Sequence, residues 1–484
     1  MKTAIFQFAS GSIHFATSLE ILKENSLAGD ETFYCLWGSR TKYPGRMSIE
    51  LETLSGKPPK TFVKLIKHAA VVNFTSEIKI DHNWVLAMTD NLINAISEAS
   101  NILMLKDINV LDVKPGAALA NEITTLTKNR DLDLSKNIPL VRILIESYLQ
   151  VYNAVTSYII NNSIDRIFLF NGRFLHERAV WDAARAQGVQ VILFETTRNR
   201  YFLRKEGFHS RVNNQKVMLD HWENSDLSLE NRLEIGSKYF SELRSRLRPF
   251  FTETKQDFKI SKPYFVYFSS SDDENVGFWD EWNEPLGKQI ECVKKLQKIF
   301  DEQNNFELII RLHPNLKNKS DSQKAGWLTI KDSESTRVIR SEKPISSYDL
   351  LDNSVGTITI GSTIGLESAF AMKPSLVMAD CGYDLLGVVD KASSWTDVSN
   401  WIFKNHRIND EELANRRNNA CIRGFFIATS GITFKYTTLV DVGLGAWNAT
   451  SFDGMNMKAN SIIGKCRKLI SHIKFKKIAA LIHD

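Results

Sequence analysis

Short apolar runs alternate along this chain with longer stretches whose apolar residues recur at helical spacing. The two periods together predict strands separated by helices. Near the start, Thr3 to Phe8 reads as a buried strand, Ser12 to Lys23 as a helix and Thr32 to Trp37 as a second strand, a βαβ opening. The same pattern predicts a strand over Asn101 to Leu105, a long helix over Ile138 to Asn161, a strand over Arg166 to Phe170, a helix over Phe174 to Gln187 and a strand over Val189 to Phe194. A second series starts with a strand at Tyr264 to Phe268. It continues with a helix near Gly287 to Gln303, strands at Phe306 to Arg311 and Thr336 to Ile339, and a helix near Ile345 to Asp352. A strand at Gly356 to Ile360, a helix at Gly365 to Ala371 and a strand at Ser375 to Met378 follow. Such alternation gives an α/β fold with mostly parallel sheets covered by helices on both faces.

Between the two series, Ser228 to Phe251 is helical and charged, and Thr252 to Pro263 is polar with a proline near its end, so the interdomain linker is expected there. Two domains are also what 484 residues call for, because one hydrophobic core rarely organises so long a chain. The expected division is an amino-terminal domain over 1–255, a second over 262–430 and a terminal segment over 431–484. Neither a solenoid-period repeat nor a low-complexity tract interrupts it.

Hydrophobic residues make up 43% and charged residues 24%, the balance of a folded, soluble protein. The opening MKTAIFQFASGSIHF has too brief an apolar run for a secretory signal or a membrane span, which predicts a cytoplasmic location. Five cysteines, Cys35, Cys292, Cys381, Cys421 and Cys466, lack metal-ligand spacing and point to reduced thiols. A net charge of +5 over this length does not imply a nucleic-acid partner. Base clusters at the end, where Lys465, Arg467, Lys468, Lys474, Lys476 and Lys477 stand against Asp484, while Ile462, Cys466, Leu469, Ile470, Ile473 and Leu481 follow an approximate helical period. Two readings stay open there: a basic amphipathic helix on an anionic membrane surface, or a solvated terminal helix with one face packed on its own domain.

The candidate chemistry concentrates in the second series. GSTIGLESAFAMKP, Gly361 to Pro374, follows an apolar run and reads as strand, tight turn, helix. Small residues at Gly361, Ser362, Thr363 and Gly365 permit close approach of backbone to a ligand, and unpaired amides at a new helix favour phosphate or carboxylate. Glu367, in the first helical turn, suits the dipole and can accept from ribose or sugar hydroxyls. Upstream, IIRLHPN, Ile309 to Asn315, ends a strand in an imidazole and a proline. His313 thereby stands at the carboxyl edge of the sheet, where open parallel sheets bind ligands. Each feature also has an ordinary structural alternative: a serine-capped turn, a helix-stabilising glutamate, a packed histidine.

These two segments, with FSSSDDE at Phe268 to Glu274, resemble the capsule and surface-polysaccharide glycosyltransferases of bacteria, a group that includes the Kdo transferases. The similarity spans mainly Lys262 to Tyr383, and LFNGRFLHERAVWDAARAQGVQVILFE, Leu169 to Glu195, is similar to the acceptor-side domain of the same proteins. The resemblance implies a GT-B fold, two Rossmann-like domains facing across a cleft, with a C-terminal helix that crosses back to the first domain. It implies transfer of a sugar from a nucleotide sugar to a surface polysaccharide or lipid-linked glycan, with a CMP-linked, Kdo-like donor if the likeness extends to substrate. In the resembling sialyl- and Kdo-transferases a histidine–proline pair contacts the nucleotide phosphate. That makes His313 a catalytic candidate, stabilising charge on the leaving nucleotide. Ser269, Ser270, Ser271, Arg311, Gly361, Ser362, Thr363 and Glu367 complete the expected donor-binding set. GT-B enzymes generally need no metal, so neither metal nor other cofactor is expected. The run Asp272, Asp273, Glu274 supplies few oxygen ligands for a hard cation.

On the acceptor side, FNGR at Phe170 to Arg173 ends a strand and starts a helix, and Asn171 and Arg173 offer donors to sugar hydroxyls, with His176 and Glu177 one turn further. By analogy with glycine-rich turns near the amino end of GT-B enzymes, His14 in GSIHF joins them. Glu195 ends the next predicted strand. A partly desolvated carboxylate there is a candidate general base, and equally a salt-bridge partner for neighbouring arginines. Arg198, Arg200, Arg204 and Lys205, with Tyr201 and Phe202, either bind a lipid-linked pyrophosphate or anionic glycan or form a solvated charged loop. Two other function classes stay open: a CDP-glycerol-type transferase of phospho-polyols, and a non-catalytic glycan-assembly protein on the same fold.

Overall fold

The computed structural model describes residues 1–8, 12–36, 60–75, 79–97, 99, 101–108, 113–197, 199–205, 211–247, 262–270, 284–303, 305–314, 316, 321–443, 446–457 and 481–482. The chain divides into two units, Met1–Phe208 with Gly431–Asp484, and His209–Ser430.

The first unit comprises β1 (Lys2–Gln7), α1 (Ser12–Leu27), β2 (Glu31–Leu36), α2 (Lys60–Ala69), β3 (Val72–Thr75), α3 (His82–Ile96), α4 (Gly116–Thr127), α5 (Ile138–Asn162), β4 (Arg166–Phe170), α6 (Leu175–Ala186), β5 (Gln190–Thr197) and β6 (Arg200–Arg204). Its sheet runs β3-β2-β1-β4-β5 with every neighbour parallel, and β6 joins β5 antiparallel. Strand alternation sorts the side chains between two helical layers. Phe168, Phe170, Ile192 and Phe194 share a core with Phe15, Leu19 and Leu22 of α1. On the opposite face Phe6 and Phe33 meet Tyr158 of α5 edge-on, with ring centroids 5.9 and 6.4 Å apart. The stretch at Asn101 to Leu105, expected as a strand, is instead a 3-10 turn, Ile102–Asp107. The Asn101 side chain accepts the Met104 amide and caps that turn, which an apolar run alone does not reveal.

The second unit comprises α7 (Arg211–Glu223), α8 (Leu229–Leu247), β7 (Tyr264–Phe268), α9 (Gln289–Gln303), β8 (Glu307–Arg311), α10 (Asp321–Leu328), β9 (Thr336–Ile339), α11 (Ser347–Asp352), β10 (Gly356–Thr359), α12 (Ile364–Phe370), β11 (Ser375–Val377), β12 (Asp390–Lys391), α13 (Trp395–Asn400) and α14 (Asp410–Thr429). Its six strands lie in the order β9-β8-β7-β10-β11-β12, all parallel, the doubly wound order of a Rossmann-like sheet. Phe265, Tyr267, Leu308, Ile310 and Ile358 pack with Val293, Leu296 and Phe300 of α9. The alternate residues Tyr264, Val266, Phe268 and Ile309 pack with Tyr348, Leu350 and Leu351 of α11.

The boundary differs from the one read off the polar stretch, because α7 and α8 belong to the second unit and not to a domain over 1–255. Phe240 of α8 stacks on Phe370 of α12 at 4.4 Å. Gly236 and Gly424 bring α8 and α14 backbone to backbone, since a Cβ on Gly424 would lie 2.4 Å from the Gly236 carbonyl oxygen. Arg211 of α7 is bound by the buried Asp384 at 2.6 Å. Residues 248–261, which hold most of the expected linker, lie outside the described residues.

From Gly431 the chain returns to the first unit, where its described residues form strands; residues 458–480 of the segment expected to include the crossing helix lie outside the described residues. β13 (Ile432–Thr433) pairs antiparallel with β6, and β14 (Thr437–Gly443), β15 (Ala446–Phe452) and β16 (Met455–Asn456) form a small antiparallel sheet. Its anchor is Glu20 of α1, fully buried, which accepts the amides of Lys435 (2.9 Å) and Tyr436 (2.8 Å) and the Thr437 hydroxyl (2.7 Å). The basic tail falls almost wholly outside the described residues. Among the described residues no helix is long and apolar enough to cross a membrane.

Candidate functional site

Strand order reverses in the second sheet between β7 and β10. The crevice outside their carboxyl ends is where an open α/β sheet receives a ligand. Register aligns three strand ends there: Phe268 pairs with Arg311 of β8 on one side and with Thr359 of β10 on the other. Ser269, buried, donates its amide to the Arg311 carbonyl (3.1 Å), and its hydroxyl accepts the His313 amide (2.7 Å). This bond steers the chain as it leaves β8 and leaves His313 half-buried at the edge, followed by an exposed Pro314. Thr359 does the same for β10. Its hydroxyl donates to the Phe268 carbonyl (3.0 Å) and accepts the amides of Gly361 (3.3 Å) and Ser362 (3.0 Å).

Several residues are therefore placed differently from the expectation. The amides of Gly361 and Ser362 are committed to Thr359, whereas those of Thr363 and Ile364 donate to no described group. The missing side chain of Gly365 makes room for protein. A Cβ there would lie 2.6 Å from the Tyr383 hydroxyl, which donates to the Ser362 carbonyl. Glu367 accepts the Tyr348 hydroxyl at 2.5 Å; burial raises its pKa, against the bonds from Tyr348 and Thr363. Arg311 turns to the carbonyls of Arg340 (2.7 Å) and Lys343 (3.1 Å), and burial brings its guanidinium down to about 10. Ser270 is clamped by Gln289, which accepts its amide (2.7 Å) and donates to its carbonyl (3.2 Å). Ser271, Asp272, Asp273 and Glu274 lie outside the described residues.

The first sheet reverses between β1 and β4. Beyond β4, Asn171 and Gly172 both take positive φ, 56° and 78°, a conformation that asparagine and glycine tolerate best. The turn brings the Asn171 side chain onto the carboxylate of Glu195, to which it donates. Glu195 is not at a strand end: pairing with β6 extends β5 to Thr197, with Glu195 opposite Phe202. Arg204 lies diagonal to it, and the nearby carboxylate opposes the lowering that burial imposes on this guanidinium. Residues 200–204 are thus a strand and not a solvated loop. Tyr201 joins the core, and Arg200 donates to the Gly431 carbonyl (3.2 Å).

His14, in the first turn of α1, packs its ring on Phe170 at 4.2 Å, with Nδ1 3.4 Å from the Thr196 hydroxyl. Burial lowers its pKa and Glu195 opposes that shift. The Arg173 guanidinium lies over the Phe174 ring at 5.2 Å. His176 and Glu177 are buried, and burial, reinforced by Glu122, pushes the Glu177 carboxyl up to about 8. Arg198 lies outside the described residues.

The structure therefore gathers Ser269, His313, Ser362 and Thr363 at one edge, and His14, Asn171 and Glu195 at another. Sequence reasoning missed Thr359, Gln289, Tyr383, Thr196, Asn121 and Glu122. A threonine closing an apolar strand was a faint signal for Thr359; the others come from distant parts of the chain. Among the described residues no cluster of three or more His, Cys, Asp or Glu is placed to hold a metal ion.

No protein-family model matches the chain, and no curated protein matches it. Among solved structures it is similar to the Thermosulfurimonas dismutans KpsC beta Kdo 2,4 transferase, with 11% identity over 53% of this chain and 79% of that one and a TM-score of 0.35. It is also similar to S. aureus MnaA in a co-structure with UDP, with 11% identity, 88% and 94% coverage and a TM-score of 0.31. A third likeness is to the UDP-GlcNAc 2-epimerase of Neisseria meningitidis bound to UDP-GlcNAc, with 11% identity, 88% and 98% coverage and a TM-score of 0.29. Likenesses this distant carry no functional argument, which rests on the two sheet edges themselves.

Proposed function

We propose that the protein is a glycosyltransferase that takes a nucleotide sugar at the reversal point of the second sheet and an acceptor hydroxyl at that of the first. One observation carries this reading: Ser269, His313 and the turn after Thr359 converge on a single switch point, and two amides of that turn have no described acceptor. Those amides, the Ser362 hydroxyl and the His313 ring supply donors for a phosphate, and His313 stabilises charge on the leaving nucleotide.

At the first edge two groups can take a proton from an acceptor hydroxyl. Glu195 accepts the Asn171 side chain, while His14 turns its Nδ1 to the Thr196 hydroxyl and is kept neutral by burial, so His14 is read as the base, with Glu195 and Asn171 orienting the acceptor. If the sequence resemblance extends to substrate, the donor is a CMP-linked, Kdo-like sugar, with other nucleotide sugars as alternatives, and the acceptor is a surface polysaccharide or lipid-linked glycan.

The test is incubation with CMP-, UDP- and GDP-sugars and measurement of nucleotide release. Release with one nucleotide class supports the reading, and a calorimetric titration without heat for CMP, UDP and GDP overturns it in favour of a non-catalytic glycan binder. Because protein donors neutralise the phosphate, transfer is expected to persist in excess EDTA. Loss with rescue by magnesium or manganese would instead bring in Asp272 and Glu274.

A further inference from the structure

We propose that Glu122 decides the charge class of the ligand admitted at the carboxyl edge of the first sheet, reserving it for an uncharged, hydroxyl-bearing group and turning away phosphate and carboxylate. Calling that ligand an acceptor rests on the function proposed above; the charge argument does not.

A helix starting just beyond a switch point ordinarily offers its free amides and positive dipole end to an anion. Helix α6 starts there but has no cap of its own, because Phe174 contributes no side-chain bond. Glu122 reaches in from α4, 1% exposed, and its Oε2 accepts the Leu175 amide at 3.3 Å. The anion of this helix end is built into the protein. Three other amides of the turn are committed as well: Asn171 to the Phe194 carbonyl (3.0 Å), Gly172 to the Phe170 carbonyl (2.5 Å) and Arg173 to the Asn171 side chain (3.3 Å), while that of Phe174 donates to no described group. Asn121 holds the exit of the turn through the Arg173 carbonyl (3.2 Å).

Charge points the same way. Glu177, in the first turn of α6, is pushed up to about 8 by burial and then by Glu122, so at neutral pH it stays protonated. Glu122 thus disfavours a further negative charge beside it, and a ligand anion would be one. The turn at the second sheet is the opposite case, with the amides of Thr363 and Ile364 uncommitted among the described residues.

Hydrogen exchange on the full chain, titrated with inorganic phosphate and read by mass spectrometry, tests this. In the wild-type protein, peptides covering 168–180 are expected to exchange unchanged. In Glu122→Ala, which opens the helix end, phosphate is expected to protect them at a concentration at least tenfold lower than any effect in wild type. Glu122→Gln keeps a cap while removing the charge and is expected to move the same way by a smaller factor, so it carries the test if the alanine variant fails to fold. Phosphate protection of 168–180 in wild type, or no gain in a folded Glu122 variant, would overturn the proposal. Peptides covering 356–370 report separately on the donor site: absence of phosphate protection there counts against the proposed function while the Glu122 arms stand.

Discussion

At the residue scale, His313 is positioned by the hydrogen bond from its own amide to the Ser269 hydroxyl and stands half-buried at the sheet edge. His313→Ala is therefore expected to fold normally, with an unchanged thermal midpoint. Its turnover should fall by the loss of one preorganised donor, about 3 kcal/mol in the barrier or on the order of a hundredfold. Near-wild-type turnover of the folded variant sinks the assignment. His14 gives a pH signature. Burial holds its folded pKa below 6.5, so the neutral ring is the form that folding favours. The associated stability is fully present above that value and is lost as pH falls through the folded pKa. A base must also be neutral to accept a proton, so kcat/KM should decline over the same acidic window. His14→Gln should lower the rate and remove that acidic limb, and a limb that survives unchanged belongs to another group.

At the element scale, the return segment depends on one carboxylate. Glu20 satisfies two amides and a hydroxyl of residues 435–437 from a fully buried position. Glu24 and Lys23 add outer contacts to Lys435, Tyr436 and Asp453. Glu20→Ala strands those part-buried donors and leaves its own site empty, and a fully buried unsatisfied donor costs on the order of 1–3 kcal/mol. The variant should lose at least about 2 kcal/mol in urea unfolding and admit proteolysis within 431–457. A stability change near zero would mean that apolar packing around Phe452 suffices. Five strands of the second sheet were legible almost to the residue because both faces are buried, so β7 is an unbroken apolar run and β8 an apolar run between Glu307 and Arg311, whereas the two-residue β12 was not read. β6 was hidden, since an edge strand carrying Arg200 and Arg204 looks like a charged loop until β5 and β13 pair with it.

At the scale of the whole molecule, both units share one winding, with strand order reversing beside the first strand of each sheet. That repetition puts one candidate edge on each unit. The basic tail adds a prediction of location. Each base near an anionic bilayer can contribute about 1 kcal/mol, an attraction that salt screens. Deleting Lys465 to Asp484 should weaken sedimentation with anionic liposomes while sparing transfer to a short soluble acceptor. Unchanged liposome binding, or unfolding of the truncated chain, would make the tail a structural helix.

Local pattern in the sequence was enough to determine the α/β class and five strands of the second unit, and to place His313, Ser362 and Asn171 just beyond strand ends, because these depend on periodicity and on which end of a strand a residue occupies. Only the tertiary structure decided which polar groups remain available to a ligand. Thr359 takes two amides of the turn that looked free, Tyr383 fills the space beside Gly365, and Arg340 with Lys343 takes Arg311. Glu122, far off in the chain, occupies the helix end beside Asn171. Hydrogen-bond partners brought together by sheet register and helix packing leave no periodic trace in the chain, so their competition with a ligand becomes visible only once the units are folded.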